Sequence, residues 1–212
     1  MRPTGCWRKR GKARKTRGKF IALEGADGTG KSTQADLLAS FLKSRGIFAQ
    51  TTREPQSPLI LEALSKCESK EGACLLFAAD RASHAKKVEK RLEGGAWVVC
   101  DRFTDSSLAY QAGGWGMDLK KVERVNAFAT NLRPDLTLIL SCPPSLAAKR
   151  MRRRGRQSGF DSDLLLQKRV LCLYRLLARR GGNRKIVDAS GTQRQVESRI
   201  KEEVGKKWSR AR

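Results

Sequence analysis

The sequence contains no run of about 18 apolar residues, so no segment is predicted to cross a membrane as a helix. Its single histidine is His84, and its six cysteines form no Cys-x-x-Cys pair. A cysteine–histidine metal cluster needs such paired ligands, so this class of site is excluded. We expect His84 to be a hydrogen-bonded surface residue rather than a catalyst. The cysteines with apolar neighbours, predicted to be small buried side chains, are Cys74, Cys100, Cys142 and Cys172.

Acidic residues are scarce: 21 Asp and Glu stand against 45 Lys and Arg, which gives a formal net charge of +24. The first 19 residues contain nine basic residues and no acid, and they lack the apolar stretch of a secretory signal. We predict that residues 1–19 form a disordered basic tail and that residues 20–212 form one domain of a cytoplasmic protein with reduced thiols. So large a positive charge attracts polyanions, either nucleic acid or phosphorylated substrates, unless it is simply a solvated surface.

A glycine-rich phosphate-binding segment follows the tail. Phe20–Leu23 is a short apolar run typical of a strand, Gly25–Ser32 fits the pattern glycine, four residues, Gly-Lys-Ser/Thr, and helical spacing follows. The backbone N–H groups of such a loop surround a phosphate at the positive end of the helix. The alternative is a glycine-rich turn that merely begins a helix, but the order of strand, loop and helix argues against it. The residues predicted to bind a nucleoside triphosphate are Gly25, Ala26, Asp27, Gly28, Thr29, Gly30, Lys31, Ser32 and Thr33.

Two parts of the sequence suit a Mg²⁺-bound triphosphate. Lys31 can reach the outer phosphates, and the Ser32 hydroxyl suits Mg²⁺. Asp101 follows the apolar strand Trp97–Cys100, where folds of this type carry a second Mg²⁺-binding acid. Arg102 beside it can hold a phosphate through two parallel hydrogen bonds. A plain surface ion pair at the strand end is the alternative for Asp101 and Arg102.

Strand and helix patterns alternate from Phe20 onward. The predicted strands are Phe20–Leu23, Phe48–Thr52, Trp97–Cys100, Leu136–Ser141 and Lys185–Val187. The predicted helices are Ser32–Ser44, Leu59–Lys66, Gly72–Leu92, Leu119–Asn131, Pro144–Arg154, Asp161–Arg179 and Gln193–Lys206, and a loop is predicted at Gly113–Gly116. This alternation predicts an α/β fold of the P-loop NTPase type, with a five-stranded parallel sheet in a three-layer α/β/α arrangement. Ligands are then expected at the carboxyl ends of the strands.

Two further segments suit a second substrate and the transfer step. Phe77 and Arg81 are four residues apart and share one helix face, as a ring that stacks on a base and a donor that reads its edge would need. A core phenylalanine with a surface arginine is the alternative. Arginines in Lys149–Arg156 could neutralise charge on a transferring phosphoryl group. A nucleic-acid patch or a solvated face explains their spacing equally well.

Together these segments resemble the thymidylate kinase family, specifically its bacterial branch, over Phe20 to about Lys206. The most similar stretches are FIALEGADGTGKST, the TREP of Thr52–Pro55, LLFAADRASH, DRFTDSSLAYQ of Asp101–Gln111, RPDLTLIL of Arg133–Leu140 and VDAS of Val187–Ser190. The resemblance implies a nucleoside monophosphate kinase fold, Mg²⁺ as cofactor, ATP and dTMP as substrates, transfer of the γ-phosphoryl group of ATP to dTMP, and a homodimer.

The resemblance also implies roles for individual residues. Lys31, Ser32 and Asp101 would hold the ATP phosphates and Mg²⁺, and Asp27 would orient the two substrates. The implied dTMP-binding residues are Asp27, Arg53, Phe77, Arg81, Arg102, Ser107, Tyr110 and Gln111, with Arg53 and Arg102 at the phosphate, Phe77 and Arg81 at the thymine and Tyr110 near the deoxyribose. The implied catalytic residues are Asp27, Lys31, Arg102 and, from the lid, Arg150 and Arg154, although the resemblance does not decide among Arg150, Arg152, Arg153, Arg154 and Arg156.

The bacterial branch supplies an arginine from a lid rather than from the glycine loop. Gly28 occupies that loop position here, and the lid, about residues 149–163, is rich in arginine. Two segments depart from the family pattern: Gln56-Ser57-Pro58 follows Glu54-Pro55, and the lid carboxylate has two candidates, Asp161 and Asp163. A related nucleotide kinase and a nucleic-acid-binding protein on a kinase scaffold are the alternative functions.

Overall fold

The computed structural model describes residues 16–153 and 164–208 of the chain. Five parallel strands form a sheet in the order β2-β3-β1-β4-β5, and they are β1 (Phe20–Gly25), β2 (Ala49–Arg53), β3 (Trp97–Asp101), β4 (Leu136–Ser141) and β5 (Arg184–Asp188). The described α-helices are α1 (Lys31–Ser44), α2 (Pro58–Ser65), α3 (Lys70–Glu93), α4 (Thr104–Ser107), α5 (Leu119–Ala129), α6 (Pro144–Arg152), α7 (Leu164–Arg179) and α8 (Gln193–Trp208). A π-helix, Leu108–Gly114, follows α4.

Helices cover both faces of the sheet. On one face, Ile21 and Leu23 of β1 pack into the same cluster as buried residues of α1 and α8. On the other face, Phe20 and Ala22 pack against α3, while Ile139 of β4 packs against α7. Strands buried on both sides require apolar residues throughout, which explains the continuous apolar runs in the sequence. The predicted three-layer α/β/α fold is therefore confirmed.

The parallel strands bring the predicted site to one edge of the sheet. Because every strand runs in the same direction, the carboxyl ends of β1, β2 and β3 lie side by side. Asp101 pairs in register with Leu23 on one side and with Arg53 on the other. The loops that follow these strands therefore meet where the phosphate-binding segment begins.

The region after β3 differs from the prediction. Gly113 and Gly114 belong to the π-helix rather than to a loop, because this helix packs closely against α7. A Cβ atom on Gly113 would lie 2.9 Å from Leu173 Cβ and 3.2 Å from the Arg169 carbonyl oxygen of α7. The glycines thus permit close packing of two helices. Cys172 is a second difference: it is exposed on α7, whereas Cys74, Cys100 and Cys142 are buried as predicted.

The folded part of the described chain begins before β1. Gly18 is buried, and its N–H donates to the Leu92 carbonyl oxygen at the end of α3 (2.8 Å). Residues 1–15 of the predicted tail lie outside the described residues. In the two described ranges, no helix combines the length and the apolar character that a membrane span requires.

Candidate active site

The glycine loop joins β1 to α1 and encloses the Lys31 side chain. Lys31 is buried, and its Nζ donates to the Ala26 carbonyl oxygen (2.8 Å) and lies 3.7 Å from Asp27 Oδ1. Burial, together with the charge of Arg102, lowers the pKa of Lys31 to about 8. The ammonium group is therefore held inside the loop at the N-terminus of α1, where a phosphate would supply the negative charge that this position favours.

Gly28 of the loop lies directly against α6. Its φ of +79° is left-handed, and a Cβ atom there would lie 2.4 Å from the Ala147 carbonyl oxygen. Both the backbone conformation and the close contact exclude a side chain at this position. An arginine could not occupy residue 28 in this arrangement of loop and helix.

Ser32 and Asp101 meet between α1 and β3. The Ser32 hydroxyl donates to Asp101 Oδ2 (2.5 Å), and Asp101 Oδ1 is buried without a hydrogen-bond partner in the described residues. An unpaired buried carboxylate oxygen beside a hydroxyl provides the hard oxygen donors that Mg²⁺ prefers, and Mg²⁺ commonly takes its remaining ligands from phosphate and water. The two residues predicted to bind Mg²⁺ thus fit this ion.

Asp27 connects the glycine loop to the segment after β3. It accepts hydrogen bonds from Arg102 Nη2 and from the Tyr110 hydroxyl (2.8 Å to the latter). The Arg102 guanidinium also lies over the Tyr110 ring, 5.0 Å from its centroid. Lys31, Asp27 and Arg102 consequently form a chain of alternating charges at the edge of the sheet.

A cavity of about 280 Å³ opens on the Arg102 side of this chain. It contains every predicted dTMP-binding residue except Arg53, whose side chain is exposed at the end of β2. Gln111 is buried at the wall, and its Oε1 has no hydrogen-bond partner in the described part of the chain. The residues that line the cavity are Asp27, Glu54, Pro55, Leu61, Leu64, Phe77, Arg81, Arg102, Ser106, Ser107, Tyr110, Gln111 and Trp115.

Arg81 is fixed at the base of this cavity. It is 2% exposed, and it donates to Glu54 Oε2 (2.8 Å), Ser107 Oγ (2.9 Å), Asn126 Oδ1 and the Phe103 carbonyl oxygen (3.2 Å). A surface position for this arginine, the alternative drawn from the sequence, is therefore wrong. Its neighbours hold the buried guanidinium in one orientation at the cavity.

Glu54 is a site residue that sequence reasoning missed. Its carboxylate pairs with Arg81 and also lies 2.8 Å from His84 Nδ1, while Thr52 Oγ1 lies 2.8 Å from His84 Nε2. His84 is hydrogen-bonded as predicted but buried, so its expected surface position is wrong. The TREP motif, which contains both Thr52 and Glu54, was the available signal for Glu54.

Asp80 explains the conformation of the unusual Gln56-Ser57-Pro58 segment. Its two carboxylate oxygens accept from the backbone N–H groups of Gln56 (2.9 Å) and Ser57 (2.8 Å). Pro58 then begins α2, where a proline ring suits the first turn of a helix. A buried acid on α3 therefore fixes the loop beside the cavity.

A second cavity, of about 270 Å³, opens on the other side of the glycine loop. Arg150 of α6 forms part of its wall, and its guanidinium donates to the carbonyl oxygens of Ala189 (2.8 Å) and Gly191 (2.9 Å). Thus Arg150 lies beside the loop between β5 and α8. The lining residues are Gly28, Thr29, Gly30, Thr33, Gln34, Arg150, Arg153, Gly191, Gln193 and Val196. Arg154, Asp161 and Asp163 lie outside the described residues.

The sequence of the chain is similar to those of known proteins of one family. The sequence model of the thymidylate kinase family matches residues 23–200. A probable thymidylate kinase of Pyrococcus abyssi is 41% identical over 198 residues, which cover 87% of this chain and 94% of that protein. A thymidylate kinase of Afipia carboxidovorans is 40% identical over 204 residues (89% and 90%), and one of Nitrosomonas eutropha is 36% identical over 205 residues (91% and 95%).

Proposed function

The chain belongs to the thymidylate kinase family, and we propose that it transfers the γ-phosphoryl group of ATP to dTMP, giving ADP and dTDP. The observation that carries this proposal is the position of Asp27. This residue joins Lys31, at the phosphate loop, to Arg102 and Tyr110, at the wall of a cavity whose residues suit a nucleotide. Two nucleotides bound in the two cavities would meet with their phosphates at this point.

The chemistry needs no covalent intermediate, because the phosphate of dTMP is already an anionic nucleophile at neutral pH. Catalysis then consists of aligning two phosphates and neutralising the charge that spreads over the transferring group. Lys31 would bind the donor phosphates, and Arg102 would bind the acceptor phosphate. Asp27 lies between these two cations and fixes their positions relative to each other. Ser32 and Asp101 would hold Mg²⁺, which supplies further neutralisation of the phosphate oxygens when it is bound.

A further positive charge is assigned to the lid. The contact of Gly28 with Ala147 excludes an arginine from the loop, and Arg150 is engaged by two carbonyl oxygens. Arg152, Arg153 and Arg156 also belong to the arginine-rich segment, and Arg153 lines the same cavity as Arg150. Of the two residues named as catalytic, we favour Arg154 for the charge on the transferring phosphoryl group and Arg150 for the wall of the ATP cavity.

The acceptor cavity also suits a deoxyribose and a thymine. Phe77 offers a ring to the base, and the tilted Trp115 ring lies 6.4 Å from it, centroid to centroid. Gln111, whose Oε1 has no hydrogen-bond partner in the described residues, offers a polar group to the base edge. Arg81 would reach the base by exchanging one of its present acceptors for a base oxygen. Tyr110 lines the same cavity on the side proposed for the sugar. At this position Tyr110 would crowd a 2′-hydroxyl, which favours dTMP over a ribonucleotide as acceptor.

The decisive experiment is a coupled ADP-release assay with dTMP, dUMP and dCMP as acceptors. We expect ADP release to be fastest with dTMP and slower with dUMP. With dTMP, the Lys31→Ala variant should release almost no ADP. A folded protein that releases no ADP with dTMP, or a Lys31→Ala variant with the wild-type rate, would overturn the proposal.

We also propose that the protein forms a homodimer and is located in the cytoplasm. Phe128 on α5 is 96% exposed and Leu75 on α3 is 59% exposed, and such apolar surface supports a homodimer through these helices. Light scattering after size exclusion would test this point directly. The cysteines in the described ranges are free, which supports a cytoplasmic setting.

A further inference from the structure

We propose that Glu24 is a positioning residue, which holds the turn after β3 so that Arg102 points into the acceptor cavity. Glu24 is the penultimate residue of β1 and is fully buried. It lines neither cavity, so its role is to orient Arg102 rather than to touch a substrate. The proposal rests on the acceptor site described under the proposed function.

The carboxylate of Glu24 accepts four hydrogen bonds. Its Oε1 accepts from the backbone N–H groups of Phe103 (2.8 Å) and Ser106 (3.2 Å). Its Oε2 accepts from the Ser106 hydroxyl (2.5 Å) and from the Tyr174 hydroxyl of α7 (2.9 Å). Three of the four donors belong to the segment that immediately follows Arg102.

This segment needs support because Arg102 has an unfavourable backbone conformation. Its φ is +71°, in the left-handed region that residues with a Cβ atom rarely adopt. The N–H of Arg102 donates to the Leu23 carbonyl oxygen (3.0 Å), and the next N–H, of Phe103, donates to Glu24. Consecutive residues of β1 therefore fix the turn on both sides of the left-handed residue. This backbone turn places the Arg102 guanidinium against Asp27 and Tyr110.

Stability does not explain a carboxylate at this position. In the described part of the chain, no Lys or Arg forms an ion pair with Glu24, and the nearby acid Asp105 is itself paired with Arg184. Burial raises the pKa of Glu24 to about 7, and the charge of Asp105 adds to the shift. An apolar side chain would avoid the desolvation of a buried carboxylate. What only a carboxylate or amide can provide here is the acceptor oxygen for two backbone N–H groups.

The test uses three substitutions of Glu24. Glu24→Asp keeps the charge but shortens the side chain, and Glu24→Ala removes the acceptor oxygens. We expect each variant to raise the KM for dTMP about tenfold or more, while the KM for ATP changes less than about twofold. Glu24→Gln keeps one oxygen for the N–H groups of Phe103 and Ser106, and it should recover most of the activity. Binding of dTMP measured by calorimetry should weaken in the same order.

Tyr174→Phe is the matched control, because it removes only the donor from α7. We expect its KM for dTMP to remain within about twofold of the wild-type value. If Tyr174→Phe and Glu24→Asp have equal effects, or if Glu24→Asp and Glu24→Gln are equally active, then Glu24 does not act by holding the Arg102 turn. Circular dichroism shows which variants fold. If Glu24→Ala does not fold, the comparison of Glu24→Asp with Glu24→Gln decides the question. A wild-type protein inactive with dTMP would instead overturn the proposed function.

Discussion

Gly28 shows how a single residue can carry two constraints. Its φ is left-handed, and a Cβ atom would meet the Ala147 carbonyl oxygen. We expect Gly28→Ala to lower kcat/KM for ATP about 5- to 150-fold, since a left-handed residue or a displaced helix costs about 1–3 kcal/mol. Steady-state kinetics with varied ATP would measure the change.

Gly46→Ala is the matched control. Residue 46 also has a left-handed φ, of +76°, but a Cβ atom there would meet nothing within 4 Å. The Gly46→Ala variant should therefore have a lower Tm and an unchanged KM for ATP. An unchanged kcat/KM in Gly28→Ala would contradict the close contact.

Glu24 gives the protein a pH-dependent stability. Its pKa rises from 4.5 to about 7 on folding, so between these values the folded state binds more protons than the unfolded state. The free energy of unfolding therefore decreases as pH rises through this window. Relative to the wild type, Glu24→Gln should be similarly stable near about pH 4.5 and more stable by about 1–3 kcal/mol at about pH 8.

Urea denaturation at several pH values would check this expectation. The exposed Glu93 at the end of α3, replaced by Gln, corrects for the general loss of one negative charge. A difference between the wild type and Glu24→Gln that does not vary with pH would contradict the assigned burial of the carboxylate, whose neighbours are Asp105, Tyr174 and Ser106.

At the scale of elements, we expect Arg150 within α6 and Arg154 after it to affect different kinetic parameters. Arg150, within the helix, is bound to the Ala189 and Gly191 carbonyl oxygens, so Arg150→Met should raise the KM for ATP about tenfold with little change in kcat. Arg154→Met should instead lower kcat strongly, since a charge used only in the transition state affects kcat. Initial rates at saturating dTMP separate the two parameters. A lower kcat in Arg150→Met with a normal KM would assign the catalytic role to Arg150.

The elements themselves were largely predictable from the sequence. Each of the five strands lies within two residues of its predicted bounds. The central strands β1, β3 and β4 are mostly apolar because helices cover both faces of the sheet there, whereas the edge strands β2 and β5 carry exposed polar residues. The π-helix was missed, since Gly113 and Gly114 are typical of loops unless a neighbouring helix, here α7, requires their small size. The same limit applies at the site. Residues of recognised motifs, such as Lys31 and Arg81, could be singled out, whereas the partnership of Glu54 with His84 depends on contacts between distant segments.

At the scale of the whole molecule, the net charge of +24 is expected to act separately from catalysis. Gly18 is buried against the end of α3 and against Ala96, so a truncation should remove residues 1–15, which contain seven basic residues, and leave residue 16 onward. We expect the truncated chain to keep the dTMP-dependent activity. Its affinity for double-stranded DNA should fall, and the slope of log K against log salt should decrease in magnitude by up to about 6. Fluorescence anisotropy at several salt concentrations would measure both. Equal DNA affinity of the two chains would contradict a role for residues 1–15.

The contact between Gly28 and Ala147 also restricts how this protein can evolve. An arginine introduced at residue 28 would collide with α6, so under the proposed mechanism it could not take over the role of a lid arginine. An arginine at residue 28 therefore becomes possible only if α6 moves away from the glycine loop, so the position of this helix decides which segment can supply that charge.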